Sequence, residues 1–372
     1  MGENAKKERT VRLPNIFEAV LPILVMMVLM IYGFVGGGDY TDAHMPLVIS
    51  IAVACIIGGI CGHSFSDMLA GMLDRLNATM EAILILCTVG ILVATFIMSG
   101  TIPALIYYGL DLLTPSLFLP VGCLMVSIVS LACGSSWTAT ATIGIAFLGI
   151  GAGLGINPAL TAGMVISGAY VGDKFSPLSD TTNLAAAVAQ TGLFDHVTAM
   201  ISTTAPTFII SLILYTILGL NIDTSNFDAS VATDLQQALA EGFNLNPLVL
   251  LPIAVIIVVC ILKMPGLVGI AISVGVGILC TMVFQGMHSV SDLFNTLHYG
   301  ITLESSNDLA NELLSRGGMD SQMWTINLIL LAVAYGGALE RCGCIETLFG
   351  KLKHKLHSVG SLILATLLTS LF

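Results

Sequence analysis

Apolar residues come along this chain in long runs parted by short polar stretches. The runs lie at about 16–35, 46–63, 79–99, 116–134, 136–156, 159–190, 196–220, 246–262, 264–284, 322–343 and 358–372. They meet the need of about 20 residues for a helix that crosses a bilayer. They therefore predict an all-α polytopic membrane protein with about ten or eleven transmembrane segments. Gly and Pro interrupt several runs. Lipid tolerates such breaks only where protein or trapped water satisfies the freed backbone groups, so broken or re-entrant helices are expected. Leu110 to Ser116, with Asp111 and Pro115, reads as a loop between a short helix and the next span.

Composition agrees with the pattern. Of 372 residues 56% are hydrophobic and 9% charged, against about 25% charged in ordinary soluble domains, and the mean hydropathy is +0.96. No soluble fold of this size hides that much apolar surface. The first run is too long for a secretory signal and ends in Gly36-Gly37-Gly38, so it reads as a retained span.

The net charge of −11 changes the picture only once the charges are assigned to loops. With a cytoplasmic N-terminus, ten of the twelve basic residues fall inside: Lys6, Lys7, Arg9, Arg12, Arg75, Lys263, Arg341, Lys351, Lys353 and Lys355. Arg316 falls outside and Lys174 sits at membrane depth. The acidic stretches Asp223 to Glu241 and Asp292 to Asp320 are then external loops. This gives one transmembrane domain over 1–372: a cytoplasmic N-terminus (1–15), a first half (16–220), an external acidic loop (221–245) and a second half (246–372). A loose likeness between the halves fits inverted repeats. The last run stops at Phe372 without a polar flank, and the second half reads as incomplete. Lipid is the expected partner. No basic patch outside the span ends points to nucleic acid.

Cys55, Cys61, Cys87, Cys123, Cys133, Cys260, Cys280, Cys342 and Cys344 lie mostly in apolar runs without a CxxC pair and read as small buried hydrophobes. Cys342-Gly343-Cys344 does not have zinc-site spacing and is assigned no chemistry. Gly149, Gly151, Gly153 and Gly155 follow no strand and read as close helix packing, as does Gly58-Gly59-Ile60-Cys61-Gly62. The histidines read as solvated groups at loops or span ends.

The candidate chemistry lies in Gly168 to Asn183, where Asp173, Lys174 and Asp180 stand between apolar flanks. Each charge at the bilayer centre costs about 2.5–3.5 kcal/mol on insertion scales, so such a cluster needs a reason. Pro177 removes a donor and disfavours helix at Ser176, while Gly168 and Gly172 are expected to loosen the preceding turn. Ser179 or Asp180 then caps a second half-helix to about Gln190. The object expected is a broken helix with free carbonyls before the break and side-chain oxygens after it. Asp173 and Asp180 supply carboxylates, and Ser176, Thr181, Thr182 and Asn183 complete an oxygen set suited to a hard cation such as Na+. Because the second half-helix turns a positive end inward, an organic anion remains an alternative ligand. A second polar run, Gly134-Ser135-Ser136-Trp137-Thr138-Ala139-Thr140-Ala141-Thr142, offers Ser135, Ser136 and Thr138 as a wall of the ion path, or else as hydroxyls bonded to their own helix.

The sequence Ser167 to Ala185, with Gly172-Asp173-Lys174-Phe175-Ser176-Pro177-Leu178-Ser179-Asp180-Thr181-Thr182-Asn183 at its centre, resembles the signature of the NhaC family of Na+/H+ antiporters. Gly134-Ser135-Ser136-Trp137-Thr138 resembles that family's Gly-Thr-Ser-Trp stretch, with Ser135 keeping the hydroxyl. The resemblance implies a bacterial-type plasma-membrane secondary transporter that exchanges Na+ for H+ by alternating access. It also implies a role in pH homeostasis and no organic cofactor. The family's exchangers of malate and lactate supply the alternative. A channel would need an open polar stripe along several helices, and no enzyme constellation such as Ser-His or HExxH stands at membrane depth.

Overall fold

A computed structural model describes residues 11–35, 42–176, 179, 181–182, 185–186, 191–222, 229–262, 264–353 and 360. Among them the regular elements are all helical: α1 (Ile16–Val35), α2 (His44–Ile60), α3 (Phe65–Met98), α4 (Thr101–Leu112), α5 (Pro115–Cys133), α6 (Ser136–Ala139), a π-helical turn (Thr140–Gly144), α7 (Ile145–Gly153) and α8 (Pro158–Phe175). After the candidate break come α9 (Leu193–Leu220), α10 (Ala229–Gly242), a 3-10 turn (Pro247–Leu250), α11 (Leu251–Ile261) and α12 (Gly266–Phe284). The chain continues with α13 (Val290–Tyr299), α14 (Asp308–Leu314), a second 3-10 turn (Met319–Gln322), α15 (Met323–Arg341) and α16 (Cys344–Lys353).

By length and composition, six helices among the described residues are fit to cross a membrane. A seventh span is formed if the pair 230–242 and 247–259, bent by 95°, counts as one. These spans are those of the described residues, which leave out the last apolar run, 358–372, except for residue 360. Gly134 takes φ +65 and caps α5, α8 stops at Phe175, and α2 and α5 are shorter apolar helices. The protein is thus all-α and polytopic. In α9 none of the apolar window is buried, and its Ser and Thr hydroxyls return to carbonyls one turn back, as Thr207 to Thr203 and Thr216 to Leu212. Both features suit lipid contact, where each hydroxyl must find its partner within the helix.

The chain forms two compact units, residues 1–83 with 324–372, and residues 84–323. In the first, Ala19, Leu47, Ala54, Met68, Tyr335, Ala338, Leu339, Cys342 and Cys344 share one core. α3 runs through the division between the units. Its 34 residues span about 51 Å at 1.5 Å each, well beyond the about 30 Å of hydrocarbon. The uncharged part after Glu81 can therefore lie in lipid while Asp67, Asp74 and Arg75 stay clear of it.

The second unit corrects the reading of the acidic stretches as loops. Ala229–Gly242 is a helix whose Leu235, Ala238 and Leu239 enter the core with Leu92, Phe96, Ile102 and Ile106. Asp308–Leu314 is likewise a helix, with Ala310 and Leu314 in the same core. The charges of both stretches are mostly acidic, yet apolar residues at helical spacing supply a face that buries. The bend after α10 is held by side chains: Thr101 Oγ1 donates to the Val249 carbonyl at 2.6 Å and Tyr108 to the Leu245 carbonyl at 2.7 Å.

Gly149, Gly151 and Gly153 pack against Ile106, Thr161 and Leu110, which is the close packing expected of them. Gly155 differs, taking φ +67 in the turn after α7 with no neighbour at its Cβ position.

Candidate functional site

α8 begins at Asn157, whose side chain accepts from the Ala159 N–H at 2.8 Å, with Pro158 in the first turn where its missing donor costs nothing. It ends at Phe175. Ser176 has extended backbone (φ −84, ψ 121), the conformation that a following proline imposes. The break thus falls where Pro177 places it.

Gly172 has a different role from the one expected. It lies inside α8 and does not loosen it. A Cβ there would collide with the Ser127 carbonyl of α5, and one on Gly168 would sit 2.5 Å from the Cys123 carbonyl oxygen. The two glycines let α5 and α8 approach to backbone contact, a packing that small residues provide between membrane helices.

That contact surrounds the end of α8 with buried oxygen. Asp173 is 3% exposed, and Ser176, Ser179 and Thr182 are also buried. The Thr181 hydroxyl donates to Asp173 Oδ2 at 3.1 Å, and the Thr182 hydroxyl to the Asp173 main-chain carbonyl at 3.3 Å. The Ser176 N–H also reaches that carbonyl, at 3.2 Å. Ser179 Oγ accepts from the Thr182 N–H at 3.3 Å and lies 2.9 Å from Thr181 Oγ1. Ser179 therefore acts as a cap for the helical turn at Thr181 and Thr182.

The predicted residues Asp173, Ser176, Thr181 and Thr182 come together around the end of α8. Asp180, Asn183 and Pro177 lie outside the described residues. Lys174 is half-buried in the last turn, where a cation suits the negative helix end, and no salt bridge joins it to Asp173 among the described residues.

The second polar run is a break as well. Gly134 turns the chain left-handed, Ser135 is extended, and Ser135 Oγ accepts from the Thr138 N–H at 3.3 Å as the cap of α6. Ser136 and Thr138 are buried. The Thr138 hydroxyl turns to Ser135 Oγ at 3.2 Å, and Thr142 bonds back to the Thr138 carbonyl at 2.7 Å. The following π-helical turn packs on α8 through Gly144 and Val165. Such turns occur often at functional sites.

Two residues near the site were not foreseen. Ser127 and Ser130 of α5 are buried, and Ser130 Oγ donates to the Ala169 carbonyl at 2.5 Å. Their spacing of three in Ser127-Ile128-Val129-Ser130 is the signal that places both on one helix face, toward Gly172.

A carboxylate at the C-terminal end of a helix adds its charge to the negative end of the helix dipole, and the two together favour a cation. Carboxylate, carbonyl and hydroxyl are also the donor types that hard cations take.

Comparison with known proteins gives the same direction. The model of the Na+/H+ antiporter family matches residues 168–372. The Na(+)/H(+) antiporter NhaC of Alkalihalophilus pseudofirmus is 37% identical over 330 residues, which is 89% of this chain and 71% of that protein. The malate-2H(+)/Na(+)-lactate antiporter of Bacillus subtilis is 34% identical over 97% of this chain and 77% of its own length. The arginine/ornithine antiporter ArcD of Halobacterium salinarum is 37% identical over 96% and 73%. No solved structure matches. The match begins at Gly168, at the start of the broken-helix signature, and the chain belongs to the Na+/H+ antiporter family.

Proposed function

We propose that this chain exchanges Na+ for H+ by alternating access, with Asp173 and Asp180 as shared carriers and Ser176, Thr181, Thr182 and Asn183 completing the oxygen set. The observation that carries this reading is the pairing of Thr181 and Thr182 with the carboxylate and carbonyl of the buried Asp173. A proton or a Na+ ion neutralises the Asp173 carboxylate, and occupancy by one opposes the other. That exclusion couples opposite fluxes without an organic cofactor. Ser135, Ser136 and Thr138, in the second break, are proposed to line the path.

The orientation proposed is a plasma-membrane protein with its N-terminus in the cytoplasm. The distribution of Lys and Arg supports it. So does the first unit, where Arg12 N–H bonds the Cys61 carbonyl at 2.9 Å and Leu13 packs on Gly343. These contacts bring Arg12 and the turn after α15 together.

A second reading, exchange of an organic ion coupled to Na+ and H+, is favoured by the relatives whose names give malate and lactate or arginine and ornithine as cargo. In everted vesicles holding an acid-inside gradient, Na+ added alone should dissipate the gradient, and Asp173→Asn and Asp180→Asn should each abolish the response. Dissipation that requires malate, lactate, arginine or ornithine would replace the first reading by the second. Full exchange by Asp173→Asn would remove the site.

A further inference from the structure

Cys342 and Cys344 flank a tight turn between α15 and α16, with Gly343 at φ +79. Both are fully buried, and their sulfurs lie 3.0 Å apart in a shared hydrogen bond. Cα atoms two positions apart in a turn fall within the about 4.4–6.8 Å that a disulfide requires. Closing the bond would bring the sulfurs from hydrogen-bond contact to about 2.05 Å and set the dihedral about the S–S bond near about 90°. A metal site is not the use the pair fits, because no group of three or more His, Cys, Asp or Glu side chains is arranged for a metal among the described residues.

The segment 11–15 lies against the turn itself. Leu13 and Pro14 are the neighbours that a Cβ on Gly343 would meet, and the Thr347 hydroxyl donates to the Pro14 carbonyl at 3.1 Å. The segment is held by the Arg12 N–H on the Cys61 carbonyl at 2.9 Å and by the Arg12 guanidinium, which makes two bonds to the Glu18 carboxylate at 2.7 and 2.8 Å. Arg12 is 49% exposed, so this ion pair competes with water and salt and is weak. Displacement of residues 11–15 would uncover Gly343, the residue between the two thiols.

We propose that Cys342 and Cys344 form an oxidisable dithiol, closed to an intramolecular disulfide by a low-molecular-weight disulfide that enters when the segment 11–15 lifts. One thiolate attacks a sulfur of the reagent, forming a mixed disulfide and releasing one reagent thiol. The second thiolate attacks the protein sulfur of that mixed disulfide and releases the other. The protein loses two protons and two electrons, and the reagent gains them as two thiols. The bond would tie the end of α15 to the start of α16. With both on the cytoplasmic side, where thiols are normally reduced, it would form only under oxidising conditions.

The test uses the full chain in detergent, treated with oxidised glutathione, alkylated and analysed by mass spectrometry. The peptide bearing Cys342 and Cys344 should lose two hydrogen masses and escape alkylation, while the remaining cysteines are alkylated and a reductant restores the pair. With Cys61 of the same core changed to Ser, the remaining partner in Cys342→Ser and in Cys344→Ser should instead retain glutathione, because its resolving thiol is gone. Arg12→Ala should speed ring closure several-fold. The proposal is overturned if the wild-type pair alkylates like the other cysteines, or keeps glutathione, or closes only after unfolding. An unchanged rate in Arg12→Ala would overturn the role of the segment 11–15.

Discussion

The Thr181 hydroxyl donates to the Asp173 carboxylate at 3.1 Å, across a break in the helix and eight positions along the chain. The carboxylate comes from the last turn of α8 and the hydroxyl from the turn that Ser179 caps. The two sides of the break are therefore in contact at one group. A movement of the second half relative to the first alters the oxygen set around Asp173.

The first prediction concerns this bond. Hydrogen bonds to charged groups are worth about 1.5–3 kcal/mol, so Thr181→Ala should weaken apparent Na+ affinity by roughly ten- to a hundredfold. Thr181→Ser should keep most of the affinity because it keeps the hydroxyl. Na+ concentration dependence in everted vesicles reads both variants. Equal affinities for Ala and wild type would separate Thr181 from the ion.

Gly172 and Gly59 should respond in opposite ways to the same substitution. A Cβ on Gly172 runs into the backbone carbonyl of Ser127, whereas one on Gly59 meets nothing within 4 Å. Gly172→Ala should therefore destabilise the protein by about 1–3 kcal/mol, the usual cost of overpacking. Gly59→Ala should be neutral or should stabilise by up to about 1 kcal/mol through helix propensity. Thermal unfolding in detergent measures both, and a Gly172→Ala protein as stable as wild type would contradict the α5–α8 contact.

A pH-dependent latch is expected where α2 begins. His44 precedes the apolar run, and its two ring nitrogens face the Asp42 carboxylate and, at 3.1 Å, the Trp324 carbonyl. Both partners are acceptors only, so the imidazolium, with two N–H groups, suits the site best. The Asp42 hydrogen bond raises the His44 pKa, and the same bond lowers that of Asp42. A raised histidine pKa means that this stabilisation is fully present below about pH 6.5, the ordinary histidine value. It is lost as pH rises through the raised, folded-state value. The lowered Asp42 pKa keeps its carboxylate charged throughout that range. The unfolding temperature of wild type relative to His44→Gln should therefore fall as pH increases above 6.5, and a difference independent of pH would show that the latch does not titrate.

The buried face of α10 supplies a fourth test. Leu235 and Leu239 are buried among Leu92, Phe96, Ile102 and Ile106. Leu239→Ala should cost about 2–5 kcal/mol as a core truncation. The exposed neighbour Glu241 changed to Gln should alter stability by no more than about 0.5 kcal/mol. Denaturation in detergent distinguishes the two, and a Leu239→Ala protein with wild-type stability would return this stretch to the status of a loop.

The sequence by itself determined the class of the protein and the place of its chemistry. Runs of about 20 apolar residues have one physical use, and a proline after Ser176 amid Asp, Lys, Ser and Thr side chains marks a break, although Pro22, Pro120 and Pro206 lie inside helices. These are local effects, so they are legible without a structure. The pairings were not. Nothing in Gly172 alone says that it stands against Ser127, and the helical spacing of Leu235 and Leu239 does not say that they meet Leu92, Phe96, Ile102 and Ile106. The same holds for the sulfurs of Cys342 and Cys344, whose spacing matches no metal motif and whose approach depends on Gly343 in a left-handed turn. Which oxygens gather at Asp173, and which thiols touch, depend on contacts between segments far apart in sequence. Only tertiary packing fixes those contacts, because close approach of two backbones is a property of both surfaces together.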